Sequence, residues 1–372
     1  MRLLMISARA DFGGGPEHIR KIIECLRDKV DIYVACPNDL PYWSLYSLLV
    51  GEERMLEIPH RAFNLKSALD LVKACRLHKI DIIHSHGKGA GIYSRIIGKL
   101  TKTPVIHTPH GLHIERYGRI GRWVYLSIER YLSGPFRKII FVSPSERDNA
   151  ENKFRIWRGK GVVIINGVTD ADGVSVAKWR SEVRNEFAID TKTLVVGTVS
   201  RFDPAKNMLE AVSVAQRQKE MVFVWVGDGE GRVEVEKAIS ERGLTNIRIL
   251  GARGDVLRIL SACDMYLSTS LREGMPIAVL EAMSVGLPIV ASRVVGNVDV
   301  VRDNVNGFLY TLGNPDEAAS YLSQLGSEEL RKKMGDESLA LQRGQYSATV
   351  MAEAIYSEYL KIAQTEGMQP CV

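Results

Sequence analysis

The stretch from residue 81 to residue 109, "DIIHSHGKGAGIYSRIIGKLTKTPVIHTP", decides the fold. Two short runs rich in β-branched residues, 81–86 and 104–109, flank a helical pattern at 89–100. A strand, a helix and a second strand in this order are typical of a βαβ unit with parallel strands. The stretch therefore predicts an α/β protein.

The same alternation continues through both halves of the 372-residue chain. In the first half, strands are predicted at 2–7, 31–36, 81–86, 104–109, 138–143 and 162–166. In the second half, they are predicted at 194–200, 221–227, 247–251, 265–270, 288–292 and 307–310. Helical patterns with one apolar stripe separate them. We predict two Rossmann-like, doubly wound domains that face an interdomain cleft at the carboxyl ends of their strands, where such sheets bind ligands.

A polar segment between the two series of strands gives the domain boundaries. We assign 1–168 to an N-terminal domain, 169–190 to an interdomain segment and 191–345 to a C-terminal domain. The last helix, within 346–372, carries one apolar stripe formed by Met351, Ile355, Tyr359 and Ile362. This stripe must pack on a partner, which the pattern alone does not identify.

Composition and charge exclude several classes of protein. The chain is 45% hydrophobic and 25% charged, as in ordinary globular proteins, and its net charge is +5. No run of five like charges occurs, so a nucleic-acid-binding arm is not indicated. Five scattered cysteines without a Cys-x-x-Cys pair argue against a disulfide framework or a zinc site and favour a reducing cytoplasm. No stretch approaches the length of a membrane-spanning helix.

The first predicted strand leads into a glycine loop, "FGGGPEH", at residues 12–18. Backbone N–H groups at a helix N-terminus form an anion site, and Pro16 suits the first helical turn. The third glycine of a dinucleotide-binding G-x-G-x-x-G pattern would fall at His18, which excludes a dehydrogenase of that type. From the residues alone, a phosphate-binding loop and a simple tight turn both remain open.

Two cations follow the strand predicted at 194–200. Arg201 and Lys206 flank a turn at Asp203 and Pro204. Cations at the carboxyl edge of a sheet can neutralise a diphosphate leaving group, Arg through its planar fork and Lys as a point charge. Surface turns often carry both cations, so a solvated turn remains the alternative.

The segment "REGMPIAVLEAM", which begins at residue 272, holds two glutamates, Glu273 and Glu281. Gly274 and Pro276 predict a turn followed by the start of a helix. Glu281 lies among apolar residues on all sides, and a buried carboxylate needs hydrogen-bond donors. Those donors are either ligand hydroxyls or a neighbouring arginine or backbone group, and the residues leave both open.

Histidines are grouped near the ends of the third and fourth predicted strands, at His84, His86, His107, His110 and His113. Each by itself is more often structural than catalytic. His110 is the best placed for a functional role, because Pro109 and Gly111 fix a sharp turn at the end of its strand.

One spacing could indicate a metal site. Asp170 and Asp172 form an Asp-x-Asp pair of the kind that binds a divalent metal in some sugar-transfer enzymes. Their place in the predicted interdomain segment argues against that role, and no other spacing of carboxylates, His or Cys suggests a metal. We therefore expect no metal site.

The segment 113–138 mixes Arg and Lys with aromatic residues. One stripe is apolar, with Arg and Glu opposite, and consists of Ile120, Val124, Ile128 and Tyr131. Such a basic aromatic helix can lie on an anionic membrane or meet a lipid-linked acceptor. A helix that covers the sheet and exposes a polar face is the more common arrangement and remains the alternative.

Taken together, these motifs resemble the retaining glycosyltransferases of family four, which have the GT-B architecture of two Rossmann-like domains. The resemblance covers nearly the full chain and rests on "FGGGPEH", "DIIHSHG", "TPHGLH", "FVSPSERD", "IINGV", "SRFDPAKN", "VGDGEGR" and "REGMPIAVLEAMSVGLPIVAS", in this order. The last of these is the most specific. The resemblance also implies that the helix within 346–372 returns to the N-terminal domain.

The resemblance implies roles for individual residues. Arg201 and Lys206 match the family's diphosphate-binding pair. Glu273 matches the glutamate that holds donor-sugar hydroxyls, Glu281 the one that binds the ribose, and His110 the histidine near the C6 hydroxyl of the sugar. The resemblance also implies that Gly14 and Gly15 contact the phosphates of the donor. It implies that Gly274, Met275 and Pro276 contact the sugar, and that Arg253 lies at the base.

The implied reaction transfers a hexose or N-acetylhexosamine from a nucleotide diphosphosugar, with a UDP-sugar as the expected donor, to a hydroxyl of a glycan or lipid-linked acceptor. Retention at the anomeric carbon is expected, without a metal or another cofactor and without a nucleic-acid partner. The expected setting is cytoplasmic, peripheral on the inner face of a bacterial membrane, in surface polysaccharide or lipopolysaccharide synthesis. The alternatives are a sugar-nucleotide epimerase of the same architecture and a noncatalytic nucleotide-sugar-binding protein.

Overall fold

The protein is described by a computed structural model at residues 1–111 and 118–367. The chain folds into two compact units. Unit 1 comprises Met1–Gly167 and Ala348–Val372, and unit 2 comprises Val168–Ser347. Each unit is built around one parallel sheet, as the alternation of strands and helices predicts.

The sheet of unit 1 has the strand order β3-β2-β1-β4-β5-β6-β7. Its strands are β1 (Arg2–Ser7), β2 (Asp31–Cys36), β3 (Met55–Glu57), β4 (Ile82–His86), β5 (Val105–Thr108), β6 (Phe136–Phe141) and β7 (Gly161–Val163). The helices of this unit are α1 (Gly14–Leu26), α2 (Tyr42–Val50), α3 (Leu65–Leu77), α4 (Gly87–Thr101), α5 (Arg119–Tyr131), α6 (Pro144–Asp148) and, from the end of the chain, α15 (Ala348–Thr365). Every strand pairing is parallel, and in the central register Leu4 lies between Tyr33 and Ile83.

Helices cover both faces of this sheet, which is why the central strand is apolar on both sides. The side chains from Leu3 to Ile6 are fully buried. The apolar stripe of α15 packs against α1, so that Met351 and Ile355 share a core with Ile19 and Ile23. The last helix of the chain therefore completes one face of unit 1.

The sheet of unit 2 has the order β10-β9-β8-β11-β12-β13, the doubly wound order of a Rossmann fold. Its strands are β8 (Val195–Val199), β9 (Val222–Val226), β10 (Ile247–Ile249), β11 (Met265–Ser268), β12 (Ile289–Ser292) and β13 (Gly307–Tyr310). The helices are α7 (Gly173–Glu186), α8 (Met208–Arg217), α9 (Arg232–Glu241), α10 (Val256–Leu260), α11 (Ile277–Ser284), α12 (Asn297–Val300), α13 (Pro315–Gln324) and α14 (Glu328–Gln345).

Segment 169–190, expected to lie between the domains, belongs to unit 2. Within it, α7 packs against α10, and its arginines Arg180 and Arg184 each donate to Asp264 at 2.6 Å. The same carboxylate accepts a hydrogen bond from the backbone N–H of Val195 at 2.7 Å. The polar composition of this segment thus reflects ion pairing inside unit 2 rather than a solvated connection.

Helix α5 presents its apolar stripe to solvent. Ile120 is 81% exposed and Tyr131 is 77% exposed, whereas Glu129, on the polar side, is buried in an ion pair with Arg95 of α4. Helix α5 does pack on the core of unit 1, through Tyr125 and Leu126, but the expected solvation of its polar face is wrong, because Glu129 is buried. Because Glu129 pairs with the buried Arg95 on the inward side of α5, the apolar stripe lies on the outward side.

The first part of the basic aromatic segment, residues 113–117, lies outside the described residues. Among the helices in the described part of the chain, none has both the length and the apolar character needed to cross a bilayer.

Candidate active site

The candidate site of unit 2 lies where its strand order reverses. Strands β8 and β11 are neighbours, and the chain leaves them toward opposite sides of the sheet. Open α/β sheets bind ligands at such a switch point, beyond the carboxyl ends of the strands. The loops that follow these two strands contain Arg201, Lys206 and Glu273.

An ion pair joins the two loops. The Nζ of Lys206 lies 2.5 Å from Oε1 of Glu273, and both side chains are mostly buried. The backbone carbonyl of Lys206 also accepts from the Oγ1 of Thr269 at 3.0 Å, and the N–H of Leu271 donates to the carbonyl of Ala205 at 2.8 Å. The sequence-predicted cation and carboxylate are therefore brought together at one edge of the sheet.

Glu273 is held in place by groups that the sequence did not single out. The Oγ of Ser270 donates to Oε1 of Glu273 at 2.7 Å, and the N–H of Glu273 donates to the carbonyl of Val295 at 3.0 Å. A Cβ on Gly296 would lie 2.5 Å from the Cβ of Glu273, so only glycine permits this approach. In the sequence, the position of Ser270 three residues before Glu273 was the feature that could have predicted this hydrogen bond.

Arg201 extends from the end of β8 and is paired with Asp203 at 2.7 Å, with 38% of its side chain exposed. The "VGDGEGR" loop supports this turn, because the N–H of Phe202 donates to the carbonyl of Asp228 at 3.0 Å. A Cβ on Gly227 would lie 1.8 Å from the carbonyl oxygen of Ser200. The glycine in that loop is therefore required by the close approach of two backbones.

Glu281 is less buried than the sequence predicts. It lies with Ala278 on the half-buried side of α11, while residues on the other side, such as Leu280, are fully buried. The expectation that protein covers both faces of this helix is therefore wrong on the side of Glu281. Burial raises the pKa of Tyr266, and the charges of Glu273 and Glu281 raise it further, so both carboxylates lie near the same phenol.

The remaining predicted contacts in unit 2 lie in two loops. Gly274, Met275 and Pro276 form the turn before α11, which begins at Ile277, and Met275 is buried. Arg253 follows β10, the edge strand two positions from β8, and binds Asp255 through two hydrogen bonds of 2.8 Å each. The structure therefore groups the turn with Glu273 but gives Arg253 an acidic partner in its own loop.

In unit 1, the glycine loop and His110 are neighbours. Gly14 is the first residue of α1, and a Cβ on Gly15 would lie 3.8 Å from Cδ2 of His110. His110 has a φ of 56°, and the N–H of the following Gly111 donates to Glu146. Glu146 is buried and also accepts from the N–H of Val142 at 2.9 Å.

Glu146 is thus a positioning residue for His110 that sequence reasoning missed. The Oγ of Ser143 accepts from the N–H of Glu146 at 3.1 Å and caps α6. A Ser-x-x-Glu spacing at the start of a helix is the signature of a capping box and was the available signal. Here the glutamate side chain reaches back to Val142 and to the turn after His110 instead of to Ser143.

Two of the grouped histidines are structural. His84 contacts the Oη of Tyr359 at 2.6 Å and the Oγ1 of Thr108 at 2.8 Å. His107 contacts the Oγ of Ser85 at 2.9 Å and stacks on a buried phenylalanine. His113 lies outside the described residues.

The other two grouped histidines meet a third one from α1. The Nδ1 of His86 lies 3.2 Å from the Nε2 of His110, and the ring of His18 is 4.8 Å from that of His110, centre to centre. Burial lowers the pKa of His18 to about 4 and that of His86 well below its usual value, so both rings are neutral near pH 7.

The Asp-x-Asp pair serves the fold. Asp172 caps α7 by accepting from the N–H groups of Val174 and Ser175 at 3.3 Å and 3.0 Å, and Asp170 accepts from the amide of Gln342 at 2.8 Å. Within residues 1–111 and 118–367, no carboxylate-containing group of three possible metal ligands occurs, and the group that does occur is His18, His86 and His110.

Comparison with known proteins identifies the chain. A family model for Glycosyltransferase Family 4 matches residues 12–172, and a model for Glycosyl transferases group 1 matches residues 180–339. The chain is 30% identical over 324 residues to the UDP-Gal:α-D-GlcNAc-diphosphoundecaprenol α-1,3-galactosyltransferase of Escherichia coli, covering 82% of each protein. It is 25% identical to the N,N'-diacetylbacillosaminyl-diphospho-undecaprenol α-1,3-N-acetylgalactosaminyltransferase of Campylobacter jejuni, covering 94% of this chain and 96% of that protein.

Solved structures show the same fold. HepE from Anabaena, crystallised with UDP and glucose, superposes with a TM-score of 0.85 at 20% identity, covering 97% of this chain and all of that one. The two parallel sheets are those of the GT-B glycosyltransferase fold. This chain belongs to the family-four glycosyltransferases of group 1.

Proposed function

We propose that this glycosyltransferase moves a hexose or N-acetylhexosamine from a UDP-sugar to a hydroxyl of a lipid-linked acceptor, with retention at the anomeric carbon. The observation that carries the proposal is the pairing of Lys206 with Glu273 at the switch point of unit 2, beside Arg201. The proposed diphosphate-binding cation, Lys206, and the proposed sugar-binding carboxylate, Glu273, lie 2.5 Å apart there.

In the proposed reaction, the bond between C1 of the sugar and the β-phosphate oxygen breaks, and the electron pair stays on the phosphate. Arg201 and Lys206 stabilise that developing charge. The acceptor oxygen bonds to C1 on the same face, and its proton passes to the departing phosphate. Glu273 orients the sugar hydroxyls and Glu281 binds the ribose.

We also propose that the two cations make a metal unnecessary, since they supply the positive charge that a divalent ion would supply. In unit 1, Gly14, Gly15 and His110 remain predicted donor contacts. They are supported by the place of the glycine loop at the N-terminus of α1 and by its proximity to His110.

The lipid-linked acceptor is supported by the relatives and by α5. The names of the E. coli and C. jejuni relatives both specify a diphosphoundecaprenol-linked sugar. On α5, the apolar stripe and Trp123, which is 70% exposed, could contact the surface of a bilayer. We therefore propose that the enzyme acts on the inner face of a bacterial membrane, in surface polysaccharide or lipopolysaccharide synthesis.

A donor screen tests this function. Purified protein is incubated with UDP-, GDP- and ADP-sugars, a bacterial lipid extract and either Mg²⁺ or EDTA, and labelled lipid product and nucleotide release are measured. We expect product from a UDP-sugar at the same rate in EDTA, with the anomeric configuration of the donor as determined by NMR. Inversion would reject the retaining mechanism, and a sugar nucleotide converted to its epimer without product would favour the epimerase alternative.

Replacing Trp123 by glutamate is expected to weaken vesicle binding by about tenfold or more, because one large apolar contact is replaced by a charge that anionic lipids repel. Flotation with vesicles that contain anionic phospholipid measures the binding. The control is Leu48→Glu, at a position of α2 that is 81% exposed and outside the stripe, which should leave binding unchanged. Equal flotation of Trp123→Glu and the wild type would rule out membrane contact through α5.

A further inference from the structure

The three-histidine group in unit 1 is assembled from separate elements: His18 on α1, His86 at the end of β4 and His110 in the loop after β5. One ring nitrogen from each histidine can be chosen so that all three lie within 4.8 Å of one another. His18 and His86 are almost completely buried. The Nε2 of His86 is buried without a hydrogen-bond partner. Neither ring nitrogen of His18 makes a hydrogen bond of good geometry, although the side chain of Asn166 lies beside this ring.

Buried polar atoms without a partner are rare and call for an explanation, such as an ion. Neutral imidazole nitrogens are the preferred protein ligands of Zn²⁺, Cu²⁺ and Ni²⁺. In a tetrahedral zinc site with bonds of about 2.0–2.1 Å, two ligand nitrogens are about 3.3 Å apart. The Nδ1 of His86 and the Nε2 of His110 form a hydrogen bond of 3.2 Å, close to that spacing, and an ion bound to both would replace this hydrogen bond.

We propose that His18, His86 and His110 form a binding site for a divalent transition-metal ion of the zinc class. Three protein ligands leave a fourth position open, which water or a substrate oxygen would fill. A nitrogen of His18 already lies within 4.8 Å of the other two ligand nitrogens. All three ligands belong to unit 1, and none of them is among the switch-point residues of unit 2.

Occupation of the site would have a functional consequence that rests on the proposed function. If His110 contacts the donor sugar, an ion bound to its ring competes with that contact, so Zn²⁺ inhibits transfer. Failure of inhibition alone would count against the role of His110 in the reaction. Failure of metal binding would count against the site itself.

Direct titration separates these outcomes. Bound metal is first removed with a chelator from full-length protein that carries no histidine tag. Binding of Co²⁺ is then followed by its visible absorption, and binding of Zn²⁺ is measured by calorimetry. We expect one ion per chain, with the visible absorption of a four-coordinate Co²⁺ site. His18→Gln should weaken binding at least tenfold, since even the loss of a residue that only supports a ligand costs about 10–100-fold.

The matched control replaces His60 and His78, which lie outside the group, by glutamine. This double variant should bind as the wild type does. Thermal unfolding checks that each variant is folded, and His110→Gln, altered in a loop, takes the place of His18→Gln if that variant does not fold. Binding that survives the loss of these ligands, or that disappears with His60 and His78, would overturn the proposal, as would the absence of a bound ion.

Discussion

We expect Lys206→Ala to lower kcat for sugar transfer by about 10²–10³-fold, the usual cost of removing one group that stabilises charge in the transition state. Lys206 lies in the 3₁₀ turn after β8, where its ammonium group meets Glu273 at 2.5 Å. Its loss removes a cation for the departing diphosphate and leaves Glu273 without an ion-pair partner on that side. Steady-state kinetics with the active UDP-sugar measures the effect.

Two variants make this result specific. Lys219→Ala, an exposed lysine of unit 2, should keep full activity. Ser270→Ala removes only the hydroxyl that donates to Glu273 and should cause a smaller loss than Lys206→Ala, mainly in KM for the donor. Full turnover by Lys206→Ala would reject the assignment to the diphosphate while leaving the family membership of the chain intact.

The largest expected effect on stability is that of Asp264→Ala, at about 3–5 kcal/mol, the range measured when one partner of a buried ion pair is removed. Asp264 is 8% exposed and pairs with Arg180 and with the buried Arg184, both at 2.6 Å. Its removal leaves the buried charge of Arg184 without its carboxylate partner and the N–H of Val195 without its acceptor. Urea unfolding followed by circular dichroism measures the change.

The control is an ion pair of the same length at the surface. Arg217 and Asp316 also lie 2.6 Å apart, but Asp316 is 75% exposed. Asp316→Ala should therefore cost less than about 1 kcal/mol. Equal losses of unfolding free energy for Asp264→Ala and Asp316→Ala would show that burial of the Asp264 pair does not determine how much it stabilises the protein.

The strands that the sequence predicts are all present, because runs of β-branched residues flanked by turn signals depend little on tertiary context. The edge strand Met55–Glu57 was missed, since three residues are too few to show a period of two. The position of segment 169–190 was also misjudged. Its polarity resembles that of a connection until Arg180 and Arg184 are seen to share one carboxylate eighty residues away.

The candidate site, like the fold, could be predicted from the sequence only in part. Arg201, Lys206 and Glu273 could be predicted because motifs in the sequence carry them and strand ends position them. The orientation of α5 could not, because a stripe with period 3.6 shows which residues share a face and not whether that face points inward. The group of His18, His86 and His110 could not either, since its members come from three elements that only the strand order brings together.

The packing of α15 on α1 has a consequence for synthesis of the protein. Unit 2 is one continuous piece of chain, so all of its residues have been made before α15 is translated. Unit 1 lacks Met351, Ile355 and Tyr359 from its core until α15 leaves the ribosome. Domains usually fold during translation in order from the N-terminus. Here unit 2 can complete its fold before unit 1, although most of unit 1 is translated earlier. A chain that stops after residue 347 would still contain all of unit 2. In unit 1, the face of α1 that α15 normally covers would be exposed to aggregation and proteolysis.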